Sequence, residues 1–384
     1  MFDSLLDLLI CPGCQGRKLK LNQTEYQQEE IWKAEILCEN CSRSYPIIDG
    51  IPCMLNREQL DAQQGDVLQE WAQKVKDIDK DIVDADMDTY KHLCRKRTGS
   101  NGVSEDAERL LWEKKLFIDN QVLKEEIGDK LAAKWMVEKK NLQVRNNHVF
   151  RFLDEIDNQF EQKWILNVGP GVDEDLISRL ELKGINLINL DIILEPLINL
   201  RSKSRECMCA DIKSLPFDNG TFDAVFCFHV IHHAHPIEQA LSEVGRVLKT
   251  NGKVFITEIN PNHFVSFQGK LIPRAIKRFI RKCARKHVGT NSRIYKPSPF
   301  EEVIPRKVLM NAMIKTGFDN ITRKTVVHAP QCFPDAVISI WNKMGFKFPT
   351  VFDPIAFEYM FFGKKSRAET QPQKAEVNNG QELK

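Results

Sequence analysis

ILNVGPGVDEDL, residues 165–176, runs from a short apolar segment into two glycines that flank a proline, and then into three carboxylates. An apolar run that ends in glycine is typical of a buried parallel strand that leads into a tight turn. In the next segment, EDLISRLELKG, Leu176, Ile177 and Leu180 lie at helical spacing before Gly184. This stretch therefore predicts a strand, a ligand-binding turn and a helix.

Strands and helices continue to alternate after this turn. The predicted strands are INLINLD, ECMCAD, FDAVFCFHV and GKVFITEI, and PIEQALSEVGRVLK is a predicted helix with Pro236 in its first turn. Such alternation predicts an α/β fold with a doubly wound, Rossmann-like parallel sheet. Ligands of these sheets bind beyond the carboxyl ends of the strands, where Asp191 and Asp211 are found.

The charge of the turn discriminates between two classes of cofactor. A nicotinamide dinucleotide needs the pattern G-x-G-x-x-G, and its third glycine would fall at Glu174. The carboxylates of residues 173–175 would repel a diphosphate, whereas S-adenosylmethionine has no phosphate and carries a sulfonium and an ammonium. The turn therefore favours S-adenosylmethionine, with Asp191 accepting from the ribose hydroxyls and Asp211 from the adenine amino group.

Residues 164 to about 260 resemble the class I S-adenosylmethionine-dependent methyltransferases. ADIKSLPFDNGTFDAVFCFHVIHHAHP and EVGRVLKTNGKVFITE are similar to motifs of the subgroup that includes quinone and small-molecule methyltransferases, and IAFEYMFFGKK is similar to the last strand of that family. The resemblance implies a seven-stranded sheet. This chain departs from the family at Asn167, where an acidic residue is usual, and at Asp173, which replaces the third glycine. The predicted cofactor-binding residues are Asn167, Gly169, Gly171, Asp191, Asp211, Ile212 and Phe228.

The segment FHVIHHAHP supplies candidates for a catalytic base. A histidine can deprotonate a hydroxyl acceptor near neutral pH. His232 and His233 are the predicted catalytic residues, and His229 and His235 rank below them. In the family, similar histidines often only pack or shape the pocket. The chain has no D/N-P-P-[YF] tetrapeptide, which argues against methylation of exocyclic amines or glutamine.

Two C-x-x-C pairs near the start of the chain predict a structural Zn²⁺ site. Its ligands would be Cys11, Cys14, Cys38 and Cys41, and four thiolates would leave no open coordination position. A redox dithiol is the competing interpretation. Residues 4–55 resemble the small zinc-ribbon proteins that activate tRNA and translation-factor methyltransferases, most specifically in YPIIDGIPCML. The resemblance implies that a methyltransferase is nearby, and here it can lie in the same chain.

Composition and motifs predict the domain organisation. We expect a zinc-ribbon domain at 1–56, a helical connector or cap at 57–150, and a methyltransferase domain at 151–363. Within the last we expect an insertion or lid at about 261–300, and after it a disordered tail at 364–384. With 55 basic and 53 acidic residues, the chain has no global charge that would attract nucleic acid or membranes.

The location of the protein is predicted to be cytoplasmic, since the start of the chain lacks a secretory signal and no stretch is apolar enough to span a membrane. A basic amphipathic segment, residues 269–287, allows three interpretations. It is a solvated lid helix, a peripheral contact with an anionic membrane surface, or a contact with RNA phosphates.

The sequence thus predicts methyl transfer to a hydroxyl or carbon of a small-molecule or lipid-linked acceptor. The alternatives are an RNA or translation-factor methyltransferase, and a catalytically silent adaptor whose zinc ribbon recruits a protein partner.

Overall fold

The described part of the chain comprises two sheets that pack against each other. The computed structural model describes residues 1, 3–27, 29–63, 104–118, 143, 145–147, 149–150, 163–171, 174–203, 205–260, 298, 300, 302–326, 335–352, 356 and 358–366. The predicted basic segment 269–287 lies outside these residues, as do Asp173 and most of the predicted tail. No helix in the described ranges is long and apolar enough to cross a membrane.

The amino-terminal unit is an antiparallel four-stranded sheet in the order β1-β2-β3-β4. After helix α1 (Asp3–Leu6), its strands are β1 (Leu19–Gln27), β2 (Glu30–Cys38), β3 (Ser44–Ile48) and β4 (Ile51–Pro52). Asp49 and Gly50 join β3 to β4 with φ values of 51° and 74°. An Asp-Gly pair with two positive φ angles is the preferred two-residue connection of a hairpin.

The second sheet has seven strands in the order β10-β11-β9-β8-β5-β6-β7, which confirms the predicted fold class. The strands are β5 (Trp164–Val168), β6 (Asn186–Asp191), β7 (Glu206–Cys209), β8 (Phe222–Phe228), β9 (Leu248–Ile259), β10 (Phe318–Val326) and β11 (Glu358–Lys365). Pairing is parallel from β7 to β9, and β11 is antiparallel to both of its neighbours. The carboxyl ends of β5 to β9 therefore share one edge.

Helices cover the larger sheet. They are α2 (Arg57–Gln63), α3 (105–118), α4 (Glu174–Glu181), α5 (Leu194–Arg201), α6 (Ile237–Val247), α7 (Arg306–Lys315), α8 (Asp335–Lys347) and α9 (Pro349–Phe352). A short 3₁₀ helix, Ile231–His233, follows β8. It carries the predicted catalytic histidines.

The small sheet docks beside β7, the edge strand of the large sheet. Cys53 pairs with Cys209, and the N–H of Met54 donates to the carbonyl of Cys209 at 2.8 Å. Leu9 pairs with Phe217, and both are buried in one core with residues of either sheet. The edge of β7 is thereby covered, and the two predicted domains fold against each other.

The described parts of the predicted connector also belong to this compact unit. Leu60 on α2 and Leu110, Leu111 and Trp112 on α3 are buried in a second core with Phe226 of the large sheet. Most of α3 is buried, including its charged residues Glu108, Arg109 and Lys114. This helix therefore acts as a cap on the sheet.

Candidate active site

A cavity of about 330 Å³ opens at the carboxyl ends of β5, β6, β7 and β8. This volume falls within the range of small-molecule pockets. Six of the seven predicted cofactor-binding residues line the cavity, namely Gly169, Gly171, Asp191, Asp211, Ile212 and Phe228. The fold thus brings together residues from four separate strand ends.

Two glycines in the turn after β5 have backbone conformations that L side chains rarely adopt. The φ angle is 65° at Gly169 and 54° at Gly171. A Cβ at Gly169 would lie 2.3 Å from Cγ2 of Val230, whereas a Cβ at Gly171 would meet no atom within 4 Å. Gly169 is needed for close packing as well as for its φ, and Gly171 leaves its backbone open to a ligand.

Asp191 ends β6 and lines the cavity near Glu113. Burial raises the pKa of Asp191, the N–H of Ile193 lowers it and the carboxylate of Glu113 raises it, and together these effects bring it to about 7. That N–H donates to Oδ1 of Asp191 at 3.1 Å. A ligand that donates hydrogen bonds to this carboxylate will favour its ionised form.

Asp211 is held by residues from helices α2 and α3. Its Oδ2 accepts hydrogen bonds from Arg109 at 2.7 Å and from Gln59 at 3.0 Å. Its Oδ1 accepts from the backbone N–H of Lys213 at 2.9 Å. Asp211 is 6% exposed, so its pair with Arg109 is a buried ion pair. Oδ1 retains a second acceptor position for a ligand.

Asn167, the seventh predicted cofactor residue, does not line the cavity. It lies within β5 and is 1% exposed, and its Nδ2 donates to Oδ1 of Asn189 at 3.0 Å. Its own Oδ1 has no hydrogen-bond partner among the described residues. The Asn167 amide is thus buried, and its Oδ1 accepts no hydrogen bond from the described residues.

Helix α3 contributes two side chains, Arg109 and Glu113, to the cavity wall. Glu113 contacts Nδ1 of His233 at 3.0 Å, and burial raises its pKa, but His233, His232 and Arg109 lower it by more. The carboxyl therefore stays ionised. Sequence reasoning missed both residues, since nothing in the charge pattern of α3 separates them from a solvated face.

Three histidines after β8 each lie beside a glutamate from a different element. His229 pairs with Glu358 on β11, His232 with Glu258 on β9 and His233 with Glu113 on α3. The distances are 3.4, 2.6 and 3.0 Å, respectively. Of the three, His229 and His233 line the cavity, whereas His232 is buried away from it.

The four predicted metal ligands also converge. The Sγ atoms of Cys11, Cys14, Cys38 and Cys41 all lie within 4.8 Å of one another, and the Cys11–Cys41 and Cys14–Cys38 separations are both 3.6 Å. A tetrahedral ion with metal–sulfur bonds of about 2.3 Å needs sulfur atoms about 3.8 Å apart. These thiols can therefore hold a metal ion. No second group of this kind occurs in the described ranges.

The thiol cluster has a polar neighbour in its own domain. Oη of Tyr45 lies 3.2 Å from Sγ of Cys11, and both residues are buried. Such a contact can orient a metal ligand from outside the coordination shell. Burial and the nearby Cys11 raise the pKa of Tyr45, so the hydroxyl remains a donor.

Comparisons with known proteins agree with this two-part organisation. Residues 166–256 match the model of a methyltransferase domain, and residues 3–50 match the model of Trm112p-like proteins. The cavity-lining residues Gly169 to Ala234 fall in the first match, and all four thiols fall in the second.

Three relatives extend the comparison. The chain is 43% identical to a UPF0434 protein of Bordetella petrii over 17% of this chain and 97% of the relative. It is 29% identical to the malonyl-[acyl-carrier protein] O-methyltransferase of Legionella pneumophila (27% of this chain, 38% of the relative). It is 31% identical to the ubiquinone/menaquinone biosynthesis C-methyltransferase of Blochmanniella pennsylvanica (29% and 44%). The chain thus spans less than half the length of either methyltransferase. Through its amino-terminal domain the chain belongs to the UPF0434 family of Trm112p-like proteins, and it joins that domain to a methyltransferase domain.

Proposed function

We propose that this protein transfers a methyl group from S-adenosylmethionine to a hydroxyl or carbon of a small-molecule or lipid-linked acceptor. The observation that carries the proposal is the cavity, which gathers Gly169, Asp191 and Asp211 at three neighbouring strand ends of a methyltransferase domain. Two relatives, an O-methyltransferase and a C-methyltransferase, support this acceptor class.

The charges around the cavity favour a cationic ligand. Three carboxylates line it, those of Glu113, Asp191 and Asp211, against the single guanidinium of Arg109. Carboxylates at a site of restricted solvent access attract a sulfonium and repel a diphosphate. The carboxylates of residues 173–175 already favoured a cationic ligand over a diphosphate. Glu113 adds a further negative charge from a different part of the chain.

Each predicted cofactor residue that lines the cavity has a role that fits its surroundings. S-adenosylmethionine would supply an electrophilic methyl group. Asp191 would accept hydrogen bonds from the ribose, and the free acceptor position on Oδ1 of Asp211 would face the adenine amino group. Gly169 and Gly171 let the ligand approach the backbone, and Ile212 and Phe228 provide apolar walls. Asn167 does not line the cavity, and its buried amide is assigned no direct contact with the ligand.

The second part of the proposal concerns the amino-terminal zinc-ribbon domain. We propose that the four thiols hold a structural Zn²⁺, since they form a closed tetrahedral set. The ribbon would then support the methyltransferase domain of its own chain, because it covers the edge of β7 and shares a core with it. A separate methyltransferase partner is not needed for this role.

Calorimetry tests the cofactor assignment. We expect S-adenosylhomocysteine, the demethylated product, to bind the full chain, and NAD to give no heat. Gly169→Val should abolish binding, because its side chain would collide with Val230 and cannot adopt the φ of 65° without strain. A wild-type protein that gives no heat and no thermal shift at millimolar S-adenosylhomocysteine would instead favour the silent adaptor.

Labelling tests the acceptor class. The protein is incubated with a cell extract and S-adenosylmethionine that carries a radioactive methyl group, and the extract is then divided into lipid, small-molecule, RNA and protein fractions. We expect the label in the lipid or small-molecule fraction. Label in RNA or protein would contradict the proposed acceptor and support the translation-related alternative.

The raised pKa of Asp191 predicts that cofactor affinity depends on pH. Ribose hydroxyls favour the carboxylate, so binding must displace the proton that Asp191 holds below its pKa of about 7. We expect S-adenosylhomocysteine to bind about tenfold more weakly at pH 6 than at pH 8, since about a tenth of the groups are ionised at pH 6. Asp191→Asn should bind weakly at both pH values, without this difference.

The same group should make the ligand-free protein less stable at higher pH. The folded pKa of about 7 exceeds the unfolded value of about 3.9, so the stabilising contribution is complete below about pH 4 and is lost as pH rises through 7. Asp191→Asn should therefore raise the melting temperature at pH 8 and leave it less changed at pH 5. An unchanged melting temperature would show that burial of this carboxylate costs nothing.

A further inference from the structure

We propose that His229 is the catalytic base of the methyl transfer and that Glu358, on β11, is its positioning residue. This inference rests on the proposed function, and it selects one histidine from the four after β8. It also differs from the sequence-based choice of His232 and His233, because it is made from the position of each ring relative to the cavity.

The backbone of His229 is strained in a way that directs the side chain. Its φ is 56°, a left-handed conformation that few residues other than glycine adopt. The N–H of His229 donates to the carbonyl of Thr257 at 2.9 Å, which holds this conformation against the neighbouring strand β9. Strain of this kind is typical of functional sites, and here it accompanies a ring that lines the cavity.

Strand order places His229 at the acceptor side of the cavity. Asp211, Asp191 and Gly169 follow β7, β6 and β5, so the proposed adenosyl donor extends across the sheet in that order. His229 follows β8, the next strand in the same direction. His233 also lines the cavity, but it pairs with Glu113 and affects the pKa of Asp191, which places it at the ribose side. His232 does not line the cavity.

Glu358 lies behind the ring of His229, away from the cavity lining. Its Oε1 is 3.4 Å from Nε2 of His229, and the residue is only 9% exposed. Burial raises the pKa of Glu358, but His229 and Arg145 lower it by more, so the carboxyl stays ionised. Among the residues that the structure describes, Glu258 and His232 also lie near this pair, and Nδ1 of His232 is 2.6 Å from Oε2 of Glu258.

These contacts define a proton transfer. With Nε2–H directed to Glu358, Nδ1 of His229 takes the proton of the acceptor hydroxyl. The acceptor oxygen forms the new bond to the methyl carbon, and the electrons of the broken carbon–sulfur bond remain on sulfur in the thioether product. Glu358 then stabilises the imidazolium, as a buried carboxylate does in other histidine-containing sites.

Variants of His229 test the base. Asparagine tolerates a positive φ, so His229→Asn should fold, bind S-adenosylhomocysteine within about threefold of wild type, and lose methyl transfer to the labelled extract fraction by about 100-fold or more. His229→Gly accepts the same φ and leaves a cavity, so added imidazole should restore part of its rate. Transfer above a tenth of wild type in His229→Asn, or no imidazole rescue in a folded His229→Gly, would overturn the assignment.

Variants of Glu358 test the positioning role. Glu358→Gln should lower the maximal rate and move the acidic limb of the pH–rate profile to lower pH, because the imidazolium loses its counter-charge. Glu358→Asp should retain more activity than Glu358→Gln. An unmoved pH–rate profile in Glu358→Gln would refute the role of Glu358.

His233→Asn provides a matched comparison within the same cavity. It should mainly weaken S-adenosylhomocysteine binding, since His233 lies at the ribose side, and should affect the maximal rate less than His229→Asn does. The reverse order of effects would favour His233 as the base. A wild-type protein that binds no S-adenosylhomocysteine would refute the proposed function itself, which is a different outcome from any of these.

Discussion

Cys38→Ser is expected to remove the bound zinc and to unfold the amino-terminal domain. Binding of structural zinc contributes about 10–16 kcal/mol of folding free energy in zinc-finger peptides, and a zinc held by the four thiols should stabilise this domain in the same way. Loss of one of four thiolates should cost several kcal/mol of that free energy. Since Ile36 and Cys38 share a core with Phe217 and Phe222 of the methyltransferase domain, that domain should lose stability as well.

The measurement is the zinc content of the purified full chain, together with its melting temperature. Wild type should contain one zinc per chain. Cys53→Ser is the matched control, because Cys53 is equally buried in the same domain but lies outside the thiol cluster, with its Sγ 3.7 Å from the carbonyl of Ile51 and near the thiol of Cys209. It should keep the zinc. One zinc per chain and an unchanged melting temperature in Cys38→Ser would contradict a structural metal.

The sequence predicted the sheet well because its strands carry strong local signals. Apolar runs such as WILNV and FDAVFCF gave strands within a residue or two of their observed ends. Helix α5 was not among the elements predicted from the sequence, and Pro196 lies in its first turn. A proline in the first turn removes no intrahelical hydrogen bond, since the first N–H groups of a helix have no partner, and the helix forms around it.

The candidate site was predictable only where its residues follow strands. Gly169, Asp191 and Asp211 could be placed together because the ends of parallel strands meet at one edge. Arg109 and Glu113 could not, since their partners Asp211 and His233 are 102 and 120 residues away. No local pattern reports such a pairing. Likewise, nothing in FHVIHHAHP shows which ring faces the cavity, because that depends on the backbone turn at His229.

Arg109→Met is expected to lower the free energy of unfolding by about 3 kcal/mol, the lower end of the range for breaking a buried ion pair. The side chains of Arg109 and Asp211 are 6% and 8% exposed, and their 2.7 Å contact joins α3 to the end of β7. Removal of the guanidinium leaves a buried carboxylate whose remaining donors, among the described residues, are Gln59 and the N–H of Lys213. Urea denaturation of the full chain measures the effect.

A double-mutant cycle separates the ion pair from the packing of the arginine side chain. Asp211→Asn alone should also destabilise, because within the described part of the chain Arg109 then keeps the half-exposed Asp106 at 3.3 Å and the carbonyl of His235 at 3.3 Å. The double variant Arg109→Met/Asp211→Asn should be more stable than the sum of the single effects predicts, since neither charge is left buried alone. Arg57→Met removes an exposed ion pair with Asp61 and should change little. If the two single changes in the free energy of unfolding add up to that of the double variant, the ion pair with Asp211 contributes nothing to stability. The apolar face of α3 would then hold this helix over the cavity.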